Sequence, residues 1–390
     1  MKTRRIEFVD ALRGYALMGL FLIHMVEYFE LYWLHQEPGP VNTVMFALFG
    51  GKAYAIFALL FGLSFYIILD RQAARGIDFR WRFAWRVFLL LLLGTLHGLL
   101  YGGDILQVLA IAGFIILPFW SASNRVILVT ALLFFSQLPT LLYVAICDAM
   151  LPGGYLRPWF LDLSQGVYRV YADGSFTELL AINAWQGLKF KWAFAVESGR
   201  LSNIIGLALL GCLLGRLDFF RDATRFRKTW GIGLLACLCA AALLAWSGDT
   251  LAGLLSHWTT GWFASHVISM YRNTLWAGAT ILLLLLLYEI PLAAKALRLL
   301  APPGRMSLTV YVLQSVLCVP LFYGFGLGMH AWIGQPRALT LGIVLWIALV
   351  AAAHAWRRRF HYGPLEWAWR SLTLTDRTVP LLRRHEAPSA

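Results

Sequence analysis

Stretches of about 20 apolar residues recur along nearly the whole chain, and that recurrence limits what it can fold into. Runs such as "VFLLLLLGTLHGLLYGG" and "ILLLLLLYEI" need lipid or a very large core around them. With 60% hydrophobic and 14% charged residues the chain stands apart from soluble domains, which sit at roughly 45–50% apolar and about 25% charged. The expected fold is an all-α, polytopic transmembrane bundle forming a single membrane domain over residues 1–390. About ten spans are expected, near 8–32, 43–69, 84–101, 104–121, 124–146, 190–215, 229–247, 265–288, 307–329 and 338–356.

A net charge of +13 invites a nucleic-acid reading, but the distribution argues against it. Lys2, Arg4 and Arg5 precede the first span, and Arg71, Arg75, Arg80, Arg82 and Arg86 surround the second connection. Further clusters follow at 216–228, 295–305 and 357–359, with Arg370, Arg377, Arg383 and Arg384 in the tail. The alternate connections are almost bare of Lys and Arg, which is the positive-inside pattern. Both termini are therefore expected on the cytoplasmic side, and no nucleic-acid partner is called for. The five cysteines show no CxxC spacing and lie almost entirely in predicted spans, so neither a disulfide framework nor a metal is indicated. The apolar stretch at the N-terminus contains Asp10 and Arg13 and lacks a small-residue cleavage site, so it is read as a retained helix.

Two segments break the rhythm. Residues 147–189 are mixed polar and aromatic, punctuated by Pro-Gly-Gly and Asp-Gly, and are expected as extracytoplasmic helices at the membrane interface. They form either a packed cap or a lid over an acceptor. The cytoplasmic tail, 357–390, carries "FHYGPLEWAWRSLT", which suits a helix lying on the inner leaflet.

Ionisable residues inside the spans carry the functional argument, because each is costly in hydrocarbon. Asp10 and Arg13 stand at i and i+3 and can pair. His24 lies eleven residues after Arg13, about 20° away around a helix. One stripe of the first helix thus carries a carboxylate, a guanidinium and an imidazole. Elsewhere Asp104 and Gln107 follow a tight "YGGD" turn, with His97 nearby, and Ser307, Tyr311, Gln314 and Ser315 share one helix face. Glu197 and Arg200, again i and i+3, look like a buried pair, and His266 and Arg272 frame an outer helix end. Each stripe serves either a polar cavity or interhelical hydrogen bonding.

The spacing of Arg13 and His24 resembles the first-helix motif of the acyltransferase-3 membrane family, in which that His is taken as the catalytic base. More of the chain resembles the YeiB-like family of bacterial membrane proteins, through "DALRGYALMGL", "KAYAIFALLFGLSF", "LLLGTLHGLLYGGDILQVLAIAG", "GRMSLTVYVLQS" and "FHYGPLEWAWRSLT". That family is similar in turn to the heparan glucosaminide acetyltransferases, whose catalytic His lies about 25 residues after the motif's Asp, a count that reaches His35 here. Many YeiB-like members carry Asn where His24 stands.

The resemblance implies a multi-pass protein of the bacterial cytoplasmic (inner) membrane. It would transfer an acyl group, an acetyl above all, from cytoplasmic acyl-CoA to an extracytoplasmic or lipid-linked glycan, or to a small amine or alcohol. A neutral imidazole suits the base, so His24 and His35 are the catalytic candidates, with Asp104 or Glu27 to orient either ring. Asp10, Arg13, His97, Gln107, Ser307, Tyr311 and Gln314 are the binding candidates. Arg13, Arg82, Arg86 and Arg305 are placed for the donor's phosphates. Partners would be membrane lipid, the acceptor and, in principle, a second copy in a homo-oligomer. The alternative is a proton-coupled transporter using the same buried groups as a substrate path.

Overall fold

Long apolar runs with few interior breakers satisfy their own backbone groups by coiling, and the chain is helical almost throughout. The computed structural model describes residues 6–37, 39–151, 155, 157–255, 261–375 and 379–382. Lys2, Arg4, Arg5, Arg377, Arg383 and Arg384 lie outside the described residues. In chain order the helices are α1 (Glu7–Val26), α2 (Pro40–Leu48), α3 (Ala53–Ala73), α4 (Arg80–Leu100), α5 (Leu106–Ile116) and α6 (Asn124–Phe135). Next come α7 (Leu138–Met150), α8 (Trp159–Asp173), α9 (Phe176–Ile182), α10 (Leu188–Glu197), α11 (Arg200–Arg216) and α12 (Ala223–Leu255). The last six are α13 (Gly261–Tyr288), α14 (Pro291–Arg298), α15 (Ala301–Arg305), α16 (Ser307–Phe322), α17 (Gly334–Arg359) and α18 (Pro364–Leu374).

Among the described residues six stretches are long and apolar enough to cross a membrane: α1, α2 with α3, α4, α12, α13 and α17. Two bent pairs raise this to eight: α6–α7, bent by 43°, and Phe176–Glu197 with α11, bent by 64°. The other two expected spans are the shorter apolar helices Leu106–Ser121 and Ser307–Phe322. At 1.5 Å per residue these reach only about 24 Å, less than the roughly 30 Å of hydrocarbon. The result is an all-α bundle with the build of a membrane protein.

The bends have local causes. Gln137 takes a left-handed backbone (φ 60°) just before Pro139 in the first turn of α7. Gly199, at φ 70°, separates α10 from α11. That break removes the expected Glu197–Arg200 pair, because i,i+3 proximity needs a continuous helix. Glu197 instead accepts the Phe160 N–H at 3.1 Å, and Arg200 lies over the Tyr54 ring at 4.6 Å.

α1 runs through the middle of the bundle, with fifteen of its twenty residues buried. It packs against α3, α15 and α17. Apolar surface gives little drive for association in lipid, so close approach and polar pairing matter more. Both act where α1 meets α15. Gly304 lies so close to the backbone oxygen of Asp10 that a Cβ there would overlap it, and Gly14 meets the Leu300 backbone in the same way. Beside this crossing Asp10 accepts from Arg13 at 3.1 Å and from Arg305 at 3.0 Å. Arg13 also donates to Ser64 of α3 at 3.0 Å and reaches the Gly304 carbonyl at 3.4 Å. One buried carboxylate and two guanidinium groups therefore hold α1, α3 and α15 in register.

The tail helix expected on the lipid surface packs inward instead. Glu366 of α18 accepts the Leu308 and Thr309 N–H groups at 2.7 and 3.1 Å and the Thr309 hydroxyl at 2.6 Å. These are otherwise orphan donors at the start of α16. Trp369 donates to the Arg86 carbonyl at 2.8 Å and lies under the Arg86 guanidinium at 3.5 Å. The aromatic side chains that suggested an interface helix are the ones that dock it.

Removing Asp10 leaves two arginines beside a buried backbone crossing. Asp10→Ala should therefore cost about 3 kcal/mol of stability, read as a lower Tm in detergent. The exposed Glu7→Ala change should shift Tm little. Equal melting of Asp10→Ala and the parent would remove the charge network from this account.

Candidate functional site

His97 and His24 rise to the same height. Each lies seventeen residues into a helix, α4 from Arg80 and α1 from Glu7, about 26 Å along the axis. α4 ends three residues after His97. The Gly102–Gly103 turn then folds the chain back so that Asp104 faces the last turn of α4. Asp104 Oδ1 lies 2.8 Å from His97 Nδ1, and Oδ2 accepts the Gln107 N–H at 3.1 Å, tying the carboxylate to the start of α5. His97 is 5% exposed and Asp104 2%. A carboxylate can only accept, so His97 donates from Nδ1, and in the neutral ring this leaves the lone pair on Nε2. Nε2 is buried and without a hydrogen-bond partner.

Among the described residues two buried polar atoms beside the dyad also lack a hydrogen bond, the Tyr101 hydroxyl and Gln107 Oε1, as do the Tyr323 hydroxyl and Gln314 Nε2 farther along α16. Buried polar atoms are nearly always bonded, so several orphans around one imidazole mark a place prepared for a polar molecule. The Tyr101 ring lies 5.9 Å from His97 and 5.6 Å from His24, bridging the two histidines. The Tyr311 ring sits 5.4 Å from His97, and its hydroxyl oxygen accepts the Ile105 N–H at 3.1 Å. That leaves the Tyr311 hydroxyl proton available.

Below Tyr311, toward the end of the bundle that bears the basic connections, lies a cavity of about 310 Å³. Its inner end is formed by Tyr311, Leu90, Leu106 and Leu109, and its walls by Phe57, Phe61, Phe65 and Phe83. Its mouth carries Asp10, Arg13, Arg71, Arg86, Arg305, Ser64, Ser307 and Glu366, with Trp369 beneath. The shape is amphipathic: a cationic rim over an apolar bore. Among the described residues no carboxylate comes within 4 Å of the Arg86 guanidinium, which rests on Trp369.

The sequence candidates divide on this geometry. His97, Asp104, Gln107 and Tyr311 come together, Asp10, Arg13 and Ser307 line the cavity, and Gln314 is buried one turn beyond Tyr311 on α16. Asp104, read as the orienting group for His24 or His35, serves His97 instead, because the Gly-Gly turn points it back at its own preceding helix. His24 is half-buried with Tyr28 at 5.5 Å and Tyr101 beside it, on the far side of Tyr101 from the dyad. His35 is exposed in the connection after α1 and makes no contact with the dyad among the described residues. Arg82 is exposed and does not line the cavity, whereas Arg13, Arg86 and Arg305 do. His266 stacks on Trp262 at 4.8 Å. Tyr101, Tyr323 and Glu366 were not singled out in the sequence. "YGGD" marked the turn, but no spacing rule told which way the tyrosine faced. Among the described residues no three His, Cys, Asp or Glu side chains cluster closely enough to hold a metal ion.

Residues 214–376 match the model of a family described as a protein of unknown function (DUF418). The chain is similar to the uncharacterized protein YeiB of Escherichia coli (strain K12), 29% identical over 94% of this chain and 95% of that one. It is also similar to the uncharacterized protein YxaH of Bacillus subtilis (strain 168), 23% identical over 96% of this chain and 95% of the relative. A third relative, an uncharacterized 39.9 kDa protein in the amylase 3′ region of Bacillus acidopullulyticus, is 26% identical over 98% and 97%. The YeiB-like resemblance drawn from the sequence is borne out.

Burial pushes the Glu366 carboxyl above the usual carboxylate range, against the pull of its bonds to Thr309 and Leu308. The folded protein then holds this proton at pH values where the unfolded chain has released it, so the contribution is lost as pH rises through the raised value. Relative to Glu366→Gln, which keeps an accepting oxygen and cannot ionise, the parent should lose stability as pH climbs from about 4. Melting both proteins across pH 4 to 8 checks this. A constant difference in Tm would refute it.

Proposed function

We propose that this chain is a membrane-embedded acyltransferase of the bacterial inner membrane, with the basic end of the bundle in the cytoplasm. The observation that carries the reading is the buried His97–Asp104 dyad, its Nε2 unpaired, standing directly behind the Tyr311 that closes the cavity. The cavity suits a donor that joins phosphates to an acyl thioester. Arg86, Arg13 and Arg305 would hold phosphate oxygens at the rim, and the phenylalanine-lined bore would take the apolar part. Acyl-CoA has that chemistry, and when bound it supplies the activated acyl group.

The residues of the chain then divide the work. His97 Nε2 takes the proton of the acceptor hydroxyl or amine as its oxygen or nitrogen bonds to the thioester carbonyl carbon. Asp104 keeps the ring in the tautomer that makes this possible and stabilises the imidazolium that forms. Tyr311 turns its free hydroxyl proton toward the carbonyl oxygen as charge builds there. The carbon–sulfur bond breaks, and the imidazolium returns its proton to the departing thiolate. His24, beyond Tyr101, would line the acceptor's approach. The acceptor is an extracytoplasmic or lipid-linked glycan, or a small amine or alcohol.

The test is transfer of radiolabel from acetyl-CoA to an envelope extract by the purified protein. His97→Ala should lower the rate by roughly 10²–10⁴-fold, Asp104→Asn by a similar factor through the wrong tautomer, and His24→Ala by less. His35→Ala should leave it unchanged. Full transfer by His97→Ala would overturn the reading, and solute uptake by proteoliposomes without acyl-CoA would favour a transporter.

A further inference from the structure

A cation without a partner stands on the outer approach to the dyad. Lys191 of α10 is half-buried. Its Nζ lies 3.4 Å from the point a Cβ on Gly98 would occupy, and Gln107 Nε2 lies 3.5 Å from the same point. Gly98 follows His97 in sequence, and the Gln107 backbone N–H bonds Asp104. The absence of a side chain on Gly98 leaves room for the ammonium group beside the turn that carries His97. It makes no hydrogen bond or ion pair among the described residues, and Asp104 is the charge within its electrostatic reach. Beside it Gln107 Oε1 is buried and unpaired.

This corner reaches an exposed helix face. Gln107 Nε2 donates to Thr95 Oγ1 at 3.1 Å, and Thr95 is exposed on the face of α4 that also shows Leu92 and Leu96. Thr95 lies fifteen residues into α4, about 22 Å from its basic end, in the outer half of the bundle. A polar strip of Thr95, Gln107 and Lys191 therefore runs from an apolar outer face to the dyad. A half-buried ammonium in such surroundings is costly until an anion meets it.

We propose that the acceptor carries a phosphate group, bound by Lys191, and enters sideways from the outer leaflet with its hydroxyl or amine turned toward His97 Nε2. This rests on the acyl-transfer reading for what happens at the dyad, but phosphate binding at Lys191 can be measured without turnover. A lipid headgroup and a free sugar or glycerol phosphate share this chemistry, and the exposed apolar face of α4 around Thr95 favours the lipid.

The experiment is equilibrium binding to the full-length protein in a glycoside detergent. The ligands are short-chain phosphatidylglycerol, diacylglycerol of the same chain length, and glycerol 3-phosphate. Phosphatidylglycerol should bind and diacylglycerol should not. Lys191→Gln should weaken phosphatidylglycerol binding by at least roughly tenfold, while Lys191→Arg retains it, both with parental melting. Lys191-dependent binding of glycerol 3-phosphate in place of the lipid would keep the phosphate and move its source to solution. Equal phosphatidylglycerol affinity for the parent and Lys191→Gln would overturn the proposal. Phosphate binding at Lys191 without acetyl transfer would leave it standing and sink the acyl-transfer reading instead.

Discussion

The carboxylate of Asp10, closed between Arg13 and Arg305, is the contact from which the rest of the bundle is set out. An interior with so little polar surface gives a buried charge few places to go, and breaking such a pair leaves an uncompensated charge behind. The pairing fixes the height of α15 against α1 at the point where Gly14 and Gly304 let the backbones touch. α16 begins immediately after α15, so the same contact sets the level at which Ser307, Tyr311 and Gln314 stand. Tyr311 meets His97 because Asp10 holds the start of the preceding helices where it does.

The same scarcity of polar partners explains why the site can be read at all. Many polar groups in the interior are paired, down to Lys52 with two backbone carbonyls and the Asn273 amide at 3.0–3.1 Å. Of the buried atoms without a hydrogen bond among the described residues, those of His97, Tyr101 and Gln107 lie together. They combine a fixed part, the Asp104–His97–Gln107 bonds, with an open part, the free Nε2 and the surrounding hydroxyl and amide groups. Rigid support on one side and unspent hydrogen-bonding capacity on the other is what a preorganised reaction site requires.

Two approaches converge there with opposite characters. From the basic end the cavity offers cations at its rim and an aromatic bore, closed by Tyr311. From the outer half the Thr95–Gln107–Lys191 strip offers one cation and two hydrogen-bonding groups beside an exposed helix face. α18 belongs to the first approach. By bonding the start of α16 through Glu366 and the start of α4 through Trp369, it floors the cavity with two of its lining residues.

The amino-acid sequence by itself determined the class of fold and the Asp10–Arg13 pair, because these depend on periods and spacings within single helices. It also marked Asp104, Gln107, Tyr311 and Gln314 as polar groups serving either a cavity or interhelical hydrogen bonds. It could not say which histidine Asp104 serves. That depended on the direction the chain takes after Gly102 and Gly103, and the turn points the carboxylate back at His97 rather than across to His24 or His35. Nor could it foresee that Gly199 would end a helix and separate Glu197 from Arg200, or that α18 would tuck its tryptophans inward. Those outcomes rest on contacts between segments far apart in the chain, whose geometry no local period encodes. Tertiary packing alone decided which of many costly polar residues were paired off and which were left open around one imidazole.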